Sequence, residues 1–600
     1  MSAFLALIWD PECPDAQRDA RGLIEGLHTQ PAGTFRSDIA GLYLADLSAP
    51  PARARLLALG DGGAVFGHLF ARSATLSPAA CLDQITPAAA AAICLSSGRR
   101  LLTDFWGSYV AFVRRARTLT VLADPASSIP CFYTQRGQVT CVFSHLERCP
   151  PAWRRGLSVN RAFVAQLLAY DKIQNGATGL SEVRELQGGV WLRVSGPGTR
   201  EFPGWDPREL ARQTDRRPAA DAAEELRATI RLVVQSHALS TPRILLNLSG
   251  GLDSSIVAAM LANAGNLVDV RGLHFVLGGG DPAETGYARA VAAFLGLGLT
   301  ERIVDPARRL PPPEQYPPTV RPYRDFLAPE MPVGDAASGA RVTFTGQGGD
   351  HLFLETRSPL LFADYLRRCG PGGETLRVLQ EAARVSGLSV WQVLREALPV
   401  LARGEEETRR RLAGLADRQT RINRHAHAGL DPAELLPAWA RRPQGVAPAK
   451  FRQVISLVHM AQIRNALPAA GAAPLVHPLM SQPLIELCLR LPADVLCTGG
   501  RPRGLARLAM KGLIPETVRL RQSKGDASRF FVQQIAANQA LLAETLRNGE
   551  LVAGGYVDRQ DIEACLTPEA YRTQTFGRMI LVCYVIECWL RRWKSESGAR

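Results

Sequence analysis

One stretch of the chain, residues 244–255, constrains the fold more than any other. It begins with the apolar run ILLNL, which predicts a buried parallel strand. The apolar residues 256–261 that follow the stretch predict a helix. Between strand and helix lies a turn of small and polar residues: Leu248, Ser249, Gly250, Gly251, Leu252, Asp253, Ser254 and Ser255.

This turn is predicted to bind a nucleotide phosphate. A helix N-terminus offers free backbone N–H groups, the glycines allow close approach, and the hydroxyls of Ser249, Ser254 and Ser255 add donors. Asp253 would repel a bare phosphate, so its expected partner is a metal ion carried by the nucleotide. The Gly-Lys-Ser/Thr of a Walker A loop is missing. The alternative is an ordinary glycine turn.

Composition limits the class of protein. The 600 residues allow about four domains or two large ones, and the net charge of +14 suits an anionic partner or reflects an Arg-rich proteome. The 12 cysteines form no Cys-x-x-Cys motif, so we expect reduced thiols and no zinc site. No signal peptide and no apolar run of about 18 residues is evident, so we expect a cytoplasmic protein without a membrane span.

Residues 1 to about 205 are predicted to form a β-rich domain. Its strands begin with Phe4 to Trp9 and continue through four later segments with hairpin spacing. These later segments are 109–113, 119–123, 131–133 and 139–143. The polar segment Ser195 to Pro218 is expected to be a linker, and Ala219 to Ser236 is predicted to be an amphipathic helix.

Strands and helices alternate after this helix. We expect strands at 268–277, 299–304 and 341–345 and a helix at 282–294, which together predict a doubly wound parallel sheet. The strand at 341–345 runs into a second turn, Gly346-Gln347-Gly348-Gly349-Asp350. Ligands of such sheets bind at the carboxyl ends of the strands, so both turns are predicted to lie at one edge.

The chain from about residue 351 is predicted to be helical. Residues 401–450 are rich in arginine, which fits a solvated helical surface or, alternatively, a docking surface for an acidic peptide. The last helix, Met579 to Trp593, has a dense apolar face that we expect to pack on the second domain.

Leu101 to Tyr133 resembles the glutaminase (Ntn) domain of class II amidotransferases. The matching runs are Phe105 to Tyr109, Asp124 to Ser128 and Pro130 to Tyr133. That family uses a cysteine directly after the initiator methionine as its nucleophile, whereas this chain has Ser2. A serine hydroxyl is a poor nucleophile without a dedicated base, so we expect no glutamine hydrolysis. A working N-terminal serine hydrolase is the competing interpretation.

The chain as a whole resembles the asparagine synthetase family. Four blocks carry the resemblance: 248–255, Thr345 to Phe353, Leu475 to Leu479 and Arg503 to Lys524. The implied fold class is α/β, with an Ntn-like β-sandwich (α+β) domain at 1–205 and an ATP pyrophosphatase-type synthetase domain at 206–600. The second domain would combine a doubly wound parallel sheet with a helical C-terminal part.

The resemblance also implies the chemistry. ATP and its pyrophosphate would bind at Leu248, Ser249, Gly250, Gly251, Asp253, Ser254, Ser255, Gly346 and Gln347. Mg²⁺ would be held by Asp253 and Asp350, and Lys524 would be catalytic, neutralising charge on phosphate and on the tetrahedral oxyanion. A substrate carboxylate would attack the α-phosphate to give an acyl-adenylate, and an amine would then attack the acyl carbon.

The amine source distinguishes members of the family. Gln347 and His351 replace two usual glutamates, and the run Gly346 to His351 is most similar to lasso-peptide cyclases. These close a macrolactam within a leader-free precursor peptide, so the implied partners are that core peptide, a leader peptidase and a leader-recognition protein, with no nucleic acid and no membrane. The alternatives are an asparagine synthetase using glutamine or ammonia, a β-lactam synthetase-like enzyme and a non-catalytic scaffold.

Overall fold

The computed structural model describes most of the chain. The described residues are 2–28, 35–48, 54–170, 175–196, 198–213, 215, 217–241, 243–265, 268–278, 282–327, 340, 342–416, 431–463, 473–522, 525, 527–567, 569–570 and 574–598. Lys524 lies outside them.

Two antiparallel six-stranded sheets form the N-terminal part of the chain. The first has the order β10-β8-β9-β1-β3-β2 and the second has the order β12-β11-β7-β6-β5-β4. Their strands are β1 (Phe4–Ile8), β2 (Phe35–Ile39), β3 (Leu42–Asp46), β4 (Arg55–Ala58), β5 (Gly63–Ala71), β6 (Phe105–Arg115), β7 (Thr118–Ala123), β8 (Phe132–Arg136), β9 (Val139–Phe143), β10 (Arg184–Glu185), β11 (Val190–Ser195) and β12 (Gly198–Pro203).

The two sheets pack face to face, with helices on their outer sides. Alternate side chains of β1 point in opposite directions, because successive residues of a strand face opposite sides of the sheet. Phe4 and Ala6 belong to the core shared by both sheets, whereas Leu5 and Leu7 belong to an outer core. The helices of this part are α1 (Pro14–His28), α2 (Pro87–Leu95), α3 (Arg99–Asp104) and α4 (Arg161–Ala169).

The segment expected to be a linker is partly regular structure. Residues Gly198–Pro203 form the edge strand β12, which pairs antiparallel with β11. Residues Pro207–Arg212 form helix α5, whose first turn is capped by the Asp206 carboxylate. The prediction of a linker from Ser195 to Pro218 was wrong for these residues, because most of β12 is exposed and so has no apolar alternation to reveal it.

A parallel sheet of five strands follows, in the order β15-β14-β13-β16-β17. All four neighbouring pairs are parallel, and the central strand β13 pairs with both β14 and β16. The strands are β13 (Arg243–Asn247), β14 (Asp269–Leu277), β15 (Gly298–Val304), β16 (Val342–Phe344) and β17 (Leu475–Val476). Helices α6 (Ala219–Leu239), α7 (Leu252–Ala262) and α8 (Pro282–Leu295) accompany them.

Among the described residues after β16, helices and their connecting loops make up the chain apart from β17, as the sequence predicts. Its helices are α9 (Gly349–Leu352), α10 (Leu361–Cys369), α11 (Thr375–Ser386), α12 (Val390–Ala416, interrupted at Gly404), α13 (Pro448–Ile463), α14 (Gln482–Arg490), α15 (Ala493–Leu496), α16 (Gly504–Ala509), α17 (Glu516–Arg519), α18 (Ser528–Ala537), α19 (Gln539–Arg547), α20 (Glu550–Ala553), α21 (Arg559–Cys565) and α22 (Gln574–Gly598). Within the Arg-rich segment, Arg410 and Arg411 pair with Glu407, and residues 417–430 lie outside the described residues. None of the helices, as far as they are described, is long and apolar enough to span a bilayer.

The last helix joins the two halves of the chain. The indole nitrogens of Trp589 and Trp593 in α22 donate to the carbonyl of Thr319, at 2.8 and 3.0 Å. Gly179 of the N-terminal part lies against the Trp589 ring and donates its N–H to Val320. The helix therefore contacts residues of the expected second domain, as predicted. It also packs against the outer core that contains Leu5 and Leu7.

A second contact between the halves lies near β6. The Arg72 guanidinium makes a two-point ion pair with Glu486 of α14, at 2.9 and 3.0 Å. The Trp106 ring stacks on Phe70 at 4.4 Å and belongs to the same core as the helices around the parallel sheet. The antiparallel and parallel parts therefore share an apolar core.

Candidate active site

Three neighbouring strands of the parallel sheet end at one edge. The turn Leu248–Gly251 follows β13, the turn beginning at Gly346 follows β16, and His477 follows β17. The strand order reverses about β13, and ligands of open α/β sheets bind at such a point. The structure thus brings together the two turns that the sequence predicts to be neighbours.

The first turn requires glycine at position 250. Gly250 has φ +76°, and a Cβ on it would lie 2.6 Å from the backbone nitrogen of Ala288 in α8. The chain then enters α7 with Gly251 as the N-cap residue, in an extended conformation. The first turn of α7 faces this edge, where its N–H groups lack helical acceptors and favour an anion.

The serines of this turn have different positions. The Ser249 hydroxyl is 3.0 Å from the Ser254 hydroxyl. The Ser254 hydroxyl also accepts a hydrogen bond from the Ser249 N–H at 3.3 Å. Ser255 is fully buried, and its hydroxyl donates to the Gly251 carbonyl at 2.8 Å. The Ser254 hydroxyl donates to the same carbonyl at 3.1 Å, so both hydroxyls hold the turn, and phosphate binding by Ser254 and Ser255 stays a prediction.

The second turn lies directly against the first. A Cβ on Gly346 would be 2.3 Å from the backbone nitrogen of Ser254, so no larger residue fits there. Gln347 is exposed beside it, and its N–H donates to the Thr345 hydroxyl at 3.2 Å. Contact between the two turns places Asp350, in the first turn of α9, near Asp253 of α7.

Asp253 and Asp350 share one guanidinium. The Nη1 atom of Arg503 is 3.2 Å from Asp253 Oδ2 and 2.6 Å from Asp350 Oδ1. Its Nη2 atom lies 3.6 Å from the Glu355 carboxylate. Arg503 precedes α16 and was not singled out by the sequence analysis, although it opens one of the four blocks that carry the family resemblance.

The electrostatics of this group follow from burial and charge. Burial raises the pKa of Asp253 well above its ordinary value, the Asp350 carboxylate raises it further, and Arg503 lowers it. Burial acts to lower the pKa of Arg503, and the carboxylates of Asp253, Asp350 and Glu355 outweigh it, so this pKa is raised. The pKa of Asp253 is therefore raised even with Arg503 beside it, and a further positive charge at this site would favour the Asp253 anion.

The carboxylate pair suits a hard divalent cation. Asp253 Oδ1 is shielded from solvent and has no hydrogen-bond partner among the described residues. Among all the residues that the structure describes, no group of three or more His, Cys, Asp or Glu residues is placed to hold a metal ion. Mg²⁺ commonly uses one or two carboxylates and takes its other ligands from phosphates and water, so the residues present fit Mg²⁺.

Two histidines at the same edge were not predicted. His274 of β14 donates from Nδ1 to the Leu248 carbonyl at 2.9 Å, so its Nε2 accepts from the Thr285 hydroxyl at 3.2 Å. His477 Nδ1 is 2.7 Å from the Thr345 hydroxyl. These bonds connect the turns after β13 and β16 to the neighbouring strands. His477 lies in the block Leu475 to Leu479 that carries part of the family resemblance, whereas no motif includes His274.

The predicted catalytic residue Lys524 lies outside the described residues, but the chain beside it is placed. Arg521 pairs with Glu284 at the start of α8 and stacks 4.1 Å over the Tyr287 ring. Gly525 lies against the same Glu284 carboxylate. Gly250 packs on α8 at Glu284, Tyr287 and Ala288. The chain at Arg521 and Gly525 therefore lies beside the turn Leu248–Gly251, which is predicted to bind phosphate.

These features define an α/β protein with a ligand site at the carboxyl edge of its parallel sheet. Residues 225–591 match the family described as asparagine synthase, which is more than half of the chain, and the chain belongs to that family. Membership supports ATP-dependent formation of an amide bond as the general activity.

Other comparisons give only low similarity. The allosteric regulatory enzyme of purine biosynthesis is 12% identical, covers 51% of this chain and 74% of its own, and has a TM-score of 0.19. Glutamine phosphoribosylpyrophosphate (PRPP) amidotransferase from B. subtilis, in complex with ADP and GMP, is 10% identical, covers 57% and 90%, and has a TM-score of 0.20. No curated protein matches the chain.

Proposed function

We propose that the protein is an ATP-dependent ligase that releases AMP and pyrophosphate while it joins a carboxylate to an amine. The observation that carries this proposal is the pair Asp253 and Asp350, brought together by two turns at the N-terminus of α7. A partly buried carboxylate pair next to a helix N-terminus suits a metal–triphosphate group better than it suits a bare anion.

The residues have distinct roles in this proposal. The backbone of Leu248 to Gly251, the hydroxyls of Ser249 and Ser254, and the turn at Gly346 and Gln347 bind the phosphates of ATP. Asp253 and Asp350 hold Mg²⁺, which supplies charge neutralisation for the departing pyrophosphate. Lys524 neutralises negative charge that develops on the α-phosphate and then on the acyl carbon's oxyanion.

We propose further that the acceptor amine belongs to the same molecule as the activated carboxylate. The support is Gln347 and His351, which stand where asparagine synthetases have glutamates, together with Ser2 in place of the glutaminase cysteine. The substrate would be a leader-free precursor peptide whose N-terminal amine closes a macrolactam on a side-chain carboxylate. A leader peptidase and a leader-recognition protein would supply it.

The second candidate is an asparagine synthetase that amidates aspartate with glutamine or ammonia. The family match supports this candidate as strongly as it supports the macrolactam synthetase, because the family is described as asparagine synthase. The N-terminal part, with two antiparallel sheets and helices outside them, supports an Ntn-like glutaminase ancestry for either candidate.

Product analysis separates the two candidates. Purified protein with Mg-ATP and the leader-free core peptide encoded beside its gene is expected to give AMP and a peptide lighter by one water. Aspartate with ammonia or glutamine is the parallel reaction. Asparagine formation without cyclic peptide would reject the macrolactam proposal. If no AMP forms with either set of substrates, both candidates are rejected. A Glu516→Gln variant, altered in a surface pair with Arg519, serves as the control and should keep full activity.

A further inference from the structure

Arg503 occupies an unusual position for a positively charged side chain. Its side chain is 11% exposed and faces three carboxylates, those of Asp253, Asp350 and Glu355. Its backbone has φ +58°, a left-handed conformation that is unfavourable for a residue with a Cβ. Such strain persists only where the surroundings hold the residue in place, so the position of this guanidinium is specified by the fold.

The guanidinium lies where a divalent cation would be needed. One nitrogen atom, Nη1, bridges Asp253 Oδ2 and Asp350 Oδ1, the two carboxylates assigned to the metal. Asp253 keeps its other oxygen, Oδ1, shielded and without a partner among the described residues. Two partly buried carboxylates this close repel each other unless one is protonated and donates to the other or a positive charge lies between them.

We propose that Arg503 is a built-in counter-ion that holds Asp253 and Asp350 together while no metal is bound, and that its guanidinium withdraws when a divalent cation binds there. The inference rests on the proposed function only for the choice of Mg²⁺ as that cation. The carboxylate pair is thereby kept assembled between turnovers, and metal binding must compete with an internal ion pair.

Competition makes a measurable prediction. If the protein binds metal only in the fraction of molecules whose arginine has withdrawn, its apparent affinity is reduced by that fraction. Arg503→Gln removes the competitor, so Mg²⁺ alone should bind about tenfold more tightly than to wild type. The same variant should melt at a lower temperature without metal, because its carboxylates repel, and Mg²⁺ should raise its melting temperature more than that of wild type.

The experiment compares wild type, Arg503→Gln, Arg503→Lys and Arg368→Gln. Thermal unfolding of the full chain is followed during titration with MgCl₂, without nucleotide, and Mn²⁺ binding is measured from the loss of the free Mn²⁺ EPR signal. Arg368 is the matched control. It pairs with Asp494 at 2.7 Å, and its side chain is 14% exposed, close to the 11% of Arg503, but the pair lies outside the proposed metal site. Its variant should lose stability and keep the wild-type response to Mg²⁺.

Each result decides the proposal. Tighter Mg²⁺ and Mn²⁺ binding by Arg503→Gln, with a smaller gain for Arg503→Lys, is the expected outcome. Equal or weaker binding by Arg503→Gln, or no response to Mg²⁺, would overturn it, and Arg503→Lys gives the same test if the glutamine variant does not fold. AMP formation is measured separately. If the metal effect is found but no AMP forms, the proposed function is rejected and the inference about Arg503 stands.

Discussion

Gly346 and Ser254 touch through their backbones. A methyl group on Gly346 would lie 2.3 Å from the Ser254 nitrogen, at the N-terminus of the helix proposed to hold the phosphates of ATP. The two turns of the site are therefore fitted to each other without an intervening side chain.

Gly346→Ala should disable the site, because the added methyl group forces apart the turns that carry Asp253 and Asp350. We expect loss of ATP-dependent pyrophosphate release, measured with an enzyme-coupled assay, while circular dichroism stays unchanged. Gly286→Ala is the control, since nothing lies within 4 Å of its added Cβ in helix α8. Alanine should stabilise that helix by about 0.5–1 kcal/mol. Normal pyrophosphate release by Gly346→Ala would show that the contact between the turns is dispensable.

Asp253→Ala should abolish pyrophosphate release in the presence of substrate. The change removes one of the two carboxylates proposed to hold Mg²⁺, and with it the ion pair to Arg503. Turnover should not return when the Mg²⁺ concentration is raised, because the lost group is a direct ligand. Retained turnover in this variant would show that the metal is held elsewhere.

Lys524→Ala should slow the chemistry and leave ATP binding intact. Groups that stabilise an oxyanion are typically worth about 3–4 kcal/mol, so we expect turnover to fall by about 10²–10³. ATP affinity, measured by calorimetry, should change little. The control is Lys511→Ala, an exposed lysine earlier in the same block. Product formation at the wild-type rate by Lys524→Ala would exclude a catalytic role.

The protein should release no glutamate from glutamine. The resemblance places Ser2 at the nucleophile position. Ala3 separates Ser2 from β1 and donates its N–H to the Ser48 hydroxyl at 2.9 Å. The assay is glutamate formation by purified protein with and without Mg-ATP, against a heat-inactivated blank. Glutamate above the blank would establish a working N-terminal hydrolase.

Acid should weaken the contact between the two halves. Burial lowers the pKa of His237 to about 3, with His68 as a further cause, and burial with Arg55 lowers the pKa of His68 to about 4. A depressed folded-state pKa means that the unfolded chain takes up protons first. The part of the stability that comes from these two neutral histidines should therefore be complete above about pH 6.5 and be lost towards pH 4, by up to about 1.4 kcal/mol per pH unit for each histidine.

Urea unfolding at several pH values between 7.5 and 4.5 tests this dependence. His237 packs in T-shaped geometry against the stacked Phe70 and Trp106 rings, at 5.1 and 5.6 Å, and is 3.2 Å from the Ser481 hydroxyl. His237→Gln removes one of the two protonation events, so the slope of stability against pH should be shallower than that of wild type. Identical slopes would mean that other groups control the acid response.

The sequence predicts the elements with strong apolar patterns and misses those without them. The strands at 244–247 and 342–344 and the turns after them were expected, because a buried parallel strand followed by glycine has a clear signature. Helix α2 was not expected, since its alanine-rich sequence has no polar face to mark a period. Strands β2 to β5 were also missed.

The composition of the site was harder to predict than its location. Asp253 and Asp350 follow strands that are neighbours in any sheet of this type, so their approach could be inferred. Arg503 lies 250 positions beyond Asp253, and only the packing of the helical part brings it to the edge of the sheet. The hydrogen bond between Thr345 and His477 depends in the same way on β17, which at two residues is too short to show the apolar pattern of a strand, although it lies in one of the blocks that resemble the family.

The position of α22 bears on the order in which the protein is made. Residues 574–598 are synthesised long after β1, yet Leu5, Leu7 and Trp589 belong to one core. Domains generally fold as units during synthesis, N-terminal first. This N-terminal part instead carries an uncovered apolar face until α22 has been made. A nascent chain stalled before α22 would therefore offer that face to chaperones or to aggregation.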